Sequence, residues 1–540
     1  MMMERQQEIE LERFGAFEVG KRMLTLAHHH HHNNRILNAG RGNPNWINTK
    51  ARLAMARLIE FGVSESNRTI CSGDMGGYVE EEKIGERFRQ FVDPQRSVDQ
   101  FLLKSLNFVH DHFGMSEDDF LAEMVNGVIG NNYPNPSRVL KNTEILLNQY
   151  LQNTLYHEHD LAGQTELFPT EGGSAAIDYI FHSLVENELI KSGDKIAINT
   201  PIFTPYLEIP RLNDYQLVEM NLRSERENNW QIDPKELAKL NDPTIKALFI
   251  VNPTNPASHA FSPAALHAIA EAVKRNPKLM IITDDVYGPF VKDFQSIYGI
   301  APHNTLLVYS FSKLYGATGC RLGLIAVNKH NVFDQLIRES PADKKKRLQE
   351  RYSIVTMDPD NFHFIDRMVA DSRSVGLYHT AGLSTPQQIQ EVLFALTDLL
   401  GNGVHDDYIQ RARRLVSQRS RDLHIGLGMT SDDHDLTGDA KYYSLINLYS
   451  LAEKRFGHPF RQYLEHHFER IDFLVQLAEE NGVVLMDGVG FGSRPGEIRI
   501  SNANLPTEDY RLIGRQVGKL LARYYQRFKK QKEESRSGSD

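Results

Sequence analysis

Ser310-Phe311-Ser312-Lys313-Leu314-Tyr315-Gly316-Ala317-Thr318-Gly319-Cys320-Arg321-Leu322-Gly323 carries one lysine among small and apolar neighbours, with an arginine eight residues further on. The run before it, Thr305-Leu306-Leu307-Val308-Tyr309, has the length and composition of a buried strand. A lysine just past such a strand, outside any charged surface run, is oddly placed for a solvated residue. Alone it reads equally well as a strand-end lysine that snorkels to water. Four other stretches decide between the readings.

Each follows, or opens, an element that a sheet would bury. Thr170-Glu171-Gly172-Gly173-Ser174 follows a turn and begins a helix, so its amides and the Ser174 hydroxyl suit a phosphate. Pro201-Ile202-Phe203-Thr204-Pro205-Tyr206 follows an apolar strand at 196–198, and Phe203 offers a ring for stacking. Asn252-Pro253-Thr254-Asn255-Pro256-Ala257 follows Ala247-Leu248-Phe249-Ile250-Val251. Thr283-Asp284-Asp285-Val286-Tyr287 follows Met280-Ile281-Ile282 and sets two acids where a buried strand stops, so at least one needs a cationic partner. In an open α/β sheet such strand ends form the ligand site.

Short apolar strands, including Leu217-Val218, alternate with helices such as 263–275 from about residue 165 onward. That alternation predicts a mostly parallel sheet flanked by helices, a large α/β domain over 165–400 with a charged helical insertion at 330–380. Helices at 386–424, 450–481 and 507–530, with strands at 483–486 and 497–500, predict a smaller α+β domain over 401–528. Ahead of these lie an N-terminal arm (1–60) and a helical segment (61–164), whose helices read as 48–62, 83–129 and from 137 onward and which is assigned to the small domain. Within the arm, 35–46 reads as an ordered loop; Asn131 to Pro136 is a loop as well. Five histidines at 28–32 read as a solvated low-complexity loop, and the charged tail 529–540 as disordered.

Composition excludes several classes. The 540 residues carry a net charge of −9, which disfavours a nucleic-acid surface. No apolar run approaches the roughly 18 residues of a membrane span, and the charged start shows no secretory signal. Cys71 and Cys320 stand alone, so neither a disulfide framework nor a Cys-based zinc site is expected; a cytoplasmic location is. Ser310-x-x-Lys313 also satisfies a pattern of penicillin-binding enzymes, but the accompanying Ser-Asp-Asn is missing. Residues 1–60 show no basic helix-turn-helix.

An amine for a covalent link, hydroxyls and an arginine for a phosphate, an acid for a ring nitrogen and an aromatic for stacking together make the set that pyridoxal 5'-phosphate requires. In order and spacing, Asn255-Pro256, Asp284-x-x-Tyr287 and Ser310-x-x-Lys313 with Arg321 resemble the fold-type I pyridoxal-phosphate aminotransferase family. The resemblance implies that Lys313 joins the cofactor and carries the Cα proton, and that Asp284 pairs with the pyridine nitrogen. It assigns Tyr287 and Asn255 to the phenolic oxygen, Gly173, Ser174, Ser310 and Arg321 to the phosphate, and Phe203 to the ring face. It implies that Arg499, in Glu497-Ile498-Arg499-Ile500-Ser501, clamps the substrate α-carboxylate, with Arg494 as the alternative, and that the Asn255-Pro256 bond is a candidate for cis. The long N-terminal region, Leu37-Asn38-Ala39-Gly40-Arg41-Gly42-Asn43-Pro44-Asn45-Trp46 and the Lys313 stretch are similar to the aspartate 4-decarboxylases within that family. That similarity implies loss of the β-carboxylate of L-aspartate to give L-alanine and CO2, with a side aspartate aminotransferase activity restored by a keto acid such as pyruvate or 2-oxoglutarate. An aspartate or broad-specificity aminotransferase without decarboxylation is the alternative. Arg41 and Lys21 are the candidates for the β-carboxylate, and a homodimer at least, built into a larger assembly of dimers, is expected.

Overall fold

Seven strands form the central sheet of the computed structural model: β1 (Thr165–Thr170), β2 (Lys195–Thr200), β3 (Val218–Arg223), β4 (Ile245–Val251), β5 (Met280–Asp284), β6 (Thr305–Ser310) and β7 (Gly323–Asn328), in the order β1-β7-β6-β5-β4-β2-β3. The structure describes residues 10–11, 14–30, 35–132, 138–156, 159–209, 217–377, 382–401, 407–429, 438–467 and 469–537. β2 to β6 run parallel, and β7 is antiparallel to both β1 and β6. Every residue of β5, β6 and β7 is buried, as strands covered on both faces must be.

Successive side chains of these strands serve opposite layers. Leu306 and Val308 join Ile177, Ile180 and Phe181 of the helix Gly173–Glu186 in one core, together with the helices Val332–Arg338 and Phe364–Ser372 from the 330–380 region. Leu307 and Tyr309 face the other way, against Phe61, Phe88, Leu102, Phe120 and Tyr150 and the helix Thr385–Leu399. The 61–164 segment, assigned from sequence to the small domain, therefore packs on the large one. Its helices turn their apolar faces onto the sheet and onto Ile389, Leu393 and Phe394. The stretch read as helical over 83–129 divides into three helices, Ile84–Phe91, Ser97–Phe113 and Glu117–Val128. Pro94, which cannot donate a helical hydrogen bond, lies in the first break, and Ser116 caps the third helix through Asp119 N.

The smaller domain groups the strands β8 (Tyr443–Asn447), β9 (Met486–Asp487) and β10 (Glu497–Ser501) with helices Arg470–Asn481 and Thr507–Ser537. The N-terminal helix Ala16–His30 buries Val19, Met23 and Leu26 in this core, and Leu37–Asn38 pairs in parallel with Val483–Val484. His28, His29 and His30, expected in a loop, complete that helix, where basic groups suit the negative end of the dipole; His31 and His32 lie outside the described residues. The tail expected to be disordered, 529–540, continues the helix Thr507–Ser537 as far as 537, with Gln531 accepting from the Tyr463 hydroxyl at 2.8 Å; just ahead of it Tyr525 stacks on Phe456 at 4.4 Å and Phe528 meets Phe460. Residues 538–540, and Tyr133 to Pro136 of the loop read from sequence, are outside the described residues. The cis peptide bonds are Thr200-Pro201 and Asn252-Pro253, so the candidate Asn255-Pro256 is not one of them.

Candidate active site

The sheet register delivers the quoted motifs to one edge. Gly323 lies opposite both Thr170 and Ser310, Val251 opposite Asp284, and Asp284 opposite Val308. The carboxyl ends of β1, β4, β5 and β6 thus meet the amino end of antiparallel β7, which brings Arg321 beside Gly172. Here a cavity of about 310 Å³ opens between the two domains. Gly173, Ser174, Phe203, Asn255, Asp284, Tyr287, Ser310, Lys313, Arg321 and Arg499 all line it.

At one end the helix Gly173–Glu186 points its N-terminus into the cavity, with no acidic residue in its first turn. Gly172 has φ +89°, and a Cβ there would overlap the Arg321 guanidinium. Arg321, itself left-handed at φ +55°, has no carboxylate partner among the described residues and donates to Thr318 O at 2.9 Å. The Ser310 hydroxyl donates to Leu322 O (2.8 Å) and lies 2.9 Å from the Ser312 hydroxyl, from which it can accept.

In the middle, Asp284 is buried and accepts from the Tyr206 hydroxyl at 2.8 Å and from Val286 N at 3.2 Å. Burial raises its pKa, opposed in turn by the Tyr206 hydroxyl, the Val286 amide and the charge of Lys313. Burial, reinforced by Asp284, holds the Tyr206 phenol well above its ordinary value, so it remains a donor. Asp285 bonds Thr283 Oγ1 at 2.5 Å below the site and is pushed up to about 7 by burial. Tyr287 shares a 3.0 Å hydroxyl contact with Tyr443. Lys313 Nζ donates to Gly42 O at 3.1 Å.

At the far end, Arg499 is 1% exposed. Its Nη1 donates to Asn255 Oδ1 (3.0 Å), its Nη2 to Gly40 O (2.7 Å), and its Nε has no partner. The guanidinium lies 4.4 Å from both the Tyr443 and Phe491 rings. No carboxylate pairs with it among the described residues, and burial depresses its pKa. A buried, uncompensated cation is costly, so this end is built for an anion. Arg494, by contrast, is taken up by Glu225 and Glu227 (3.0 Å to Glu227) on the large domain.

Two sequence candidates are not brought in. Arg41 and Lys21 are exposed and absent from the cavity wall, although Arg41 sits between the two residues whose carbonyls meet Arg499 and Lys313. Conversely, Tyr206, Ser312, Gly42, Tyr442 and Tyr443 were not singled out. Tyr206 and Ser312 lay inside quoted motifs; a Tyr-Tyr pair opening a strand carries no signal distinct from a core.

Residues 130–513 match the family model for aminotransferase class I and II. The chain belongs to that family. It is 42% identical over 92% of its length, and 93% of the relative's, to a bifunctional aspartate aminotransferase and L-aspartate beta-decarboxylase of a Pseudomonas species. An asparagine–oxo-acid transaminase of Streptococcus mutans is 24% identical over 58% of this chain and 67% of its own. The Thermus thermophilus aspartate aminotransferase solved with maleate superposes with a TM-score of 0.61 over 96% of this chain and all of its own, at 15% identity.

Aminotransferases of this class work with pyridoxal 5'-phosphate, and the residues present fit it: an unpaired arginine and a helix N-terminus for the phosphate, a buried acid for the ring nitrogen, and a lysine between them.

Proposed function

We propose that this aminotransferase-family protein removes the β-carboxylate of L-aspartate as CO2 to give L-alanine, with transamination as a side reaction. The observation that carries the reading is Arg499: a buried guanidinium with no carboxylate partner among the described residues, on the same cavity as Lys313 and Asp284. Identity of 42% along nearly the whole of both chains with a protein named for both activities supports the choice of reaction.

Bound pyridoxal phosphate would supply an aldehyde that links to an amine and a protonated ring that draws the electron pair left at Cα by loss of its proton; a carbon–nitrogen double bond at Cα would then take up the pair left at Cβ when CO2 departs. Arg499 holds the α-carboxylate through its two Nη groups, oriented by Asn255 and Gly40. Lys313 accepts the Cα proton and returns it, its amine placed by the Gly42 carbonyl. Asp284 would face the ring nitrogen, its carboxylate form favoured by the hydrogen bonds that Tyr206 and Val286 donate to it. Ser174, Ser310 and Arg321 would hold the phosphate, Asn255 and Tyr287 the phenolic oxygen, and Phe203 the ring face. Arg41 and Lys21 remain the proposed holders of the β-carboxylate, acting from the rim rather than from the wall.

No helix among the described residues is long and apolar enough to cross a membrane; a cytoplasmic location is proposed. So is a homodimer at least, which a monomer mass in light scattering at working concentration would refute. Incubation with L-aspartate alone should release CO2 and alanine. Absence of CO2, with oxaloacetate formed when 2-oxoglutarate is added, would leave only an aminotransferase.

A further inference from the structure

The segment 39–46 crosses the site without helix or regular ladder, and its carbonyls are divided between the reacting groups. Gly40 O takes Arg499 Nη2 at 2.7 Å; two residues on, Gly42 O takes Lys313 Nζ at 3.1 Å. Gly42 O accepts a second hydrogen bond, at 2.8 Å, from the hydroxyl of Tyr442. The segment is otherwise tied to the small domain by Ser501 N to Ala39 O and Asn45 N to Ala503 O, and to the large one by Trp46 Nε1 to Leu314 O. Among the described residues, Lys313 and Tyr442 are the two donors to the Gly42 carbonyl.

We propose that Tyr442 is a positioning residue for proton transfer: its hydroxyl holds the Gly42 carbonyl where it keeps the Lys313 amine beside the substrate Cα. The inference rests on the function proposed above. A lysine amine ends a flexible four-carbon stem and needs a fixed acceptor to dwell in one place. The Gly42 carbonyl is fixed only if its own peptide plane is. Tyr442 is suited to this, because its ring is fully buried and wedged against Trp46 (6.4 Å), Phe290 (5.0 Å) and Tyr287 (5.0 Å). Its neighbour Tyr443 closes the other side: a Cβ on Gly42 would overlap the Tyr443 hydroxyl, so this backbone passes where no side chain fits. The small domain therefore reaches the proton carrier through the Gly42 carbonyl, and Tyr442 itself is not part of the cavity lining.

The test is Tyr442→Phe, which removes one oxygen and keeps the ring packing. Exchange of the aspartate Cα proton with D2O, followed by NMR, should slow by roughly two- to tenfold, the net worth of one hydrogen bond. The KM for aspartate, set at Arg499, should stay within about twofold. In the full chain without cofactor, amide hydrogen exchange across 39–46 should accelerate. Lys313→Ala, with exchange restored by an added primary amine, should make the Tyr442→Phe effect vanish, since the amine is no longer tethered. Unchanged Cα exchange, an equal loss in the Lys313→Ala background, or a KM rising in step with the rate loss would each overturn the proposal. If the wild-type protein itself shows no Cα exchange, the function reading falls, while amide exchange in the cofactor-free chain still decides whether Tyr442 fixes Gly42.

Discussion

Replacing Tyr206 by Phe tests the electrostatic centre of the site without touching the cofactor's covalent anchor. Asp284 is buried at the end of β5, and among the described residues two groups donate to it, the Tyr206 hydroxyl at 2.8 Å and Val286 N at 3.2 Å. Burial already raises its pKa, so the ionised form is held by those donors and by the charge of Lys313. A hydrogen bond to a charged group contributes about 1.5–3 kcal/mol, which is roughly a ten- to hundredfold change in the balance between carboxylate and carboxylic acid. Removing the hydroxyl shifts that balance toward the acid, so the pH below which Asp284 ceases to be a carboxylate rises. A ring nitrogen kept protonated by the carboxylate then loses its partner at a higher pH than in the wild type. Equilibrium titration of the cofactor-free protein with pyridoxal phosphate between about pH 5 and 9 should show affinity in Tyr206→Phe falling away on the acid side well before the wild-type curve does, with the curves converging at alkaline pH. Superimposable curves would refute the role given to Tyr206, and a uniform loss at every pH would reassign it to packing.

The remaining expectations concern the two ends of the site and the layer beneath it. Arg499→Met should cut kcat/KM for aspartate by at least a hundredfold, about 3 kcal/mol, while the cofactor-free chain, relieved of a buried cation without a carboxylate partner, is no less resistant to urea. Gly172→Ala, which puts a methyl into the Arg321 guanidinium at φ +89°, should weaken pyridoxal phosphate binding by tenfold or more and leave binding of phosphate-free pyridoxal nearly as it was. Asp285, raised to about 7 by burial, destabilises the fold progressively as pH rises from its unfolded value near 4 through 7, so Asp285→Asn should flatten that part of a urea-midpoint profile. A profile as steep as the wild type's would show that Asp285 does not titrate there.

The chemistry of the site was legible because its carriers sit within a few residues of strand ends. Asp284 closes β5, Ser310 closes β6 and Asn252 to Asn255 follow β4, so short apolar runs locate them. The flanking pieces were less legible. β1 and β7 passed unmarked because β1 holds Thr165, Glu166 and Thr170 and β7 opens directly from the Arg321 turn. Helical periodicity drew the 83–129 helices but not their partner, since an apolar stripe states that something covers it and not what; the cover proved to be the sheet and Thr385–Leu399. The tail shows the same limit in reverse. Its composition reads as disordered, yet 529–537 prolongs the helix Thr507–Ser537, and Gln531 accepts from the Tyr463 hydroxyl of the helix His458–His467 at 2.8 Å.

By itself the sequence determined which groups the protein has for a pyridine ring, a phosphate, an amine and an α-carboxylate, because each is tied to a local turn whose chemistry does not depend on distant partners. Tertiary structure alone decided what surrounds them. It placed Tyr206 against Asp284, put the Gly42 carbonyl on the Lys313 amine and the Tyr442 hydroxyl on that carbonyl, withheld every described carboxylate from Arg499, gave Arg494 to Glu225 and Glu227, and left Arg41 and Lys21 at the surface. These contacts join residues far apart in the chain, Gly42 and Tyr442 by 400 positions. They follow from how two domains close on one cavity, which no pattern of neighbouring residues records.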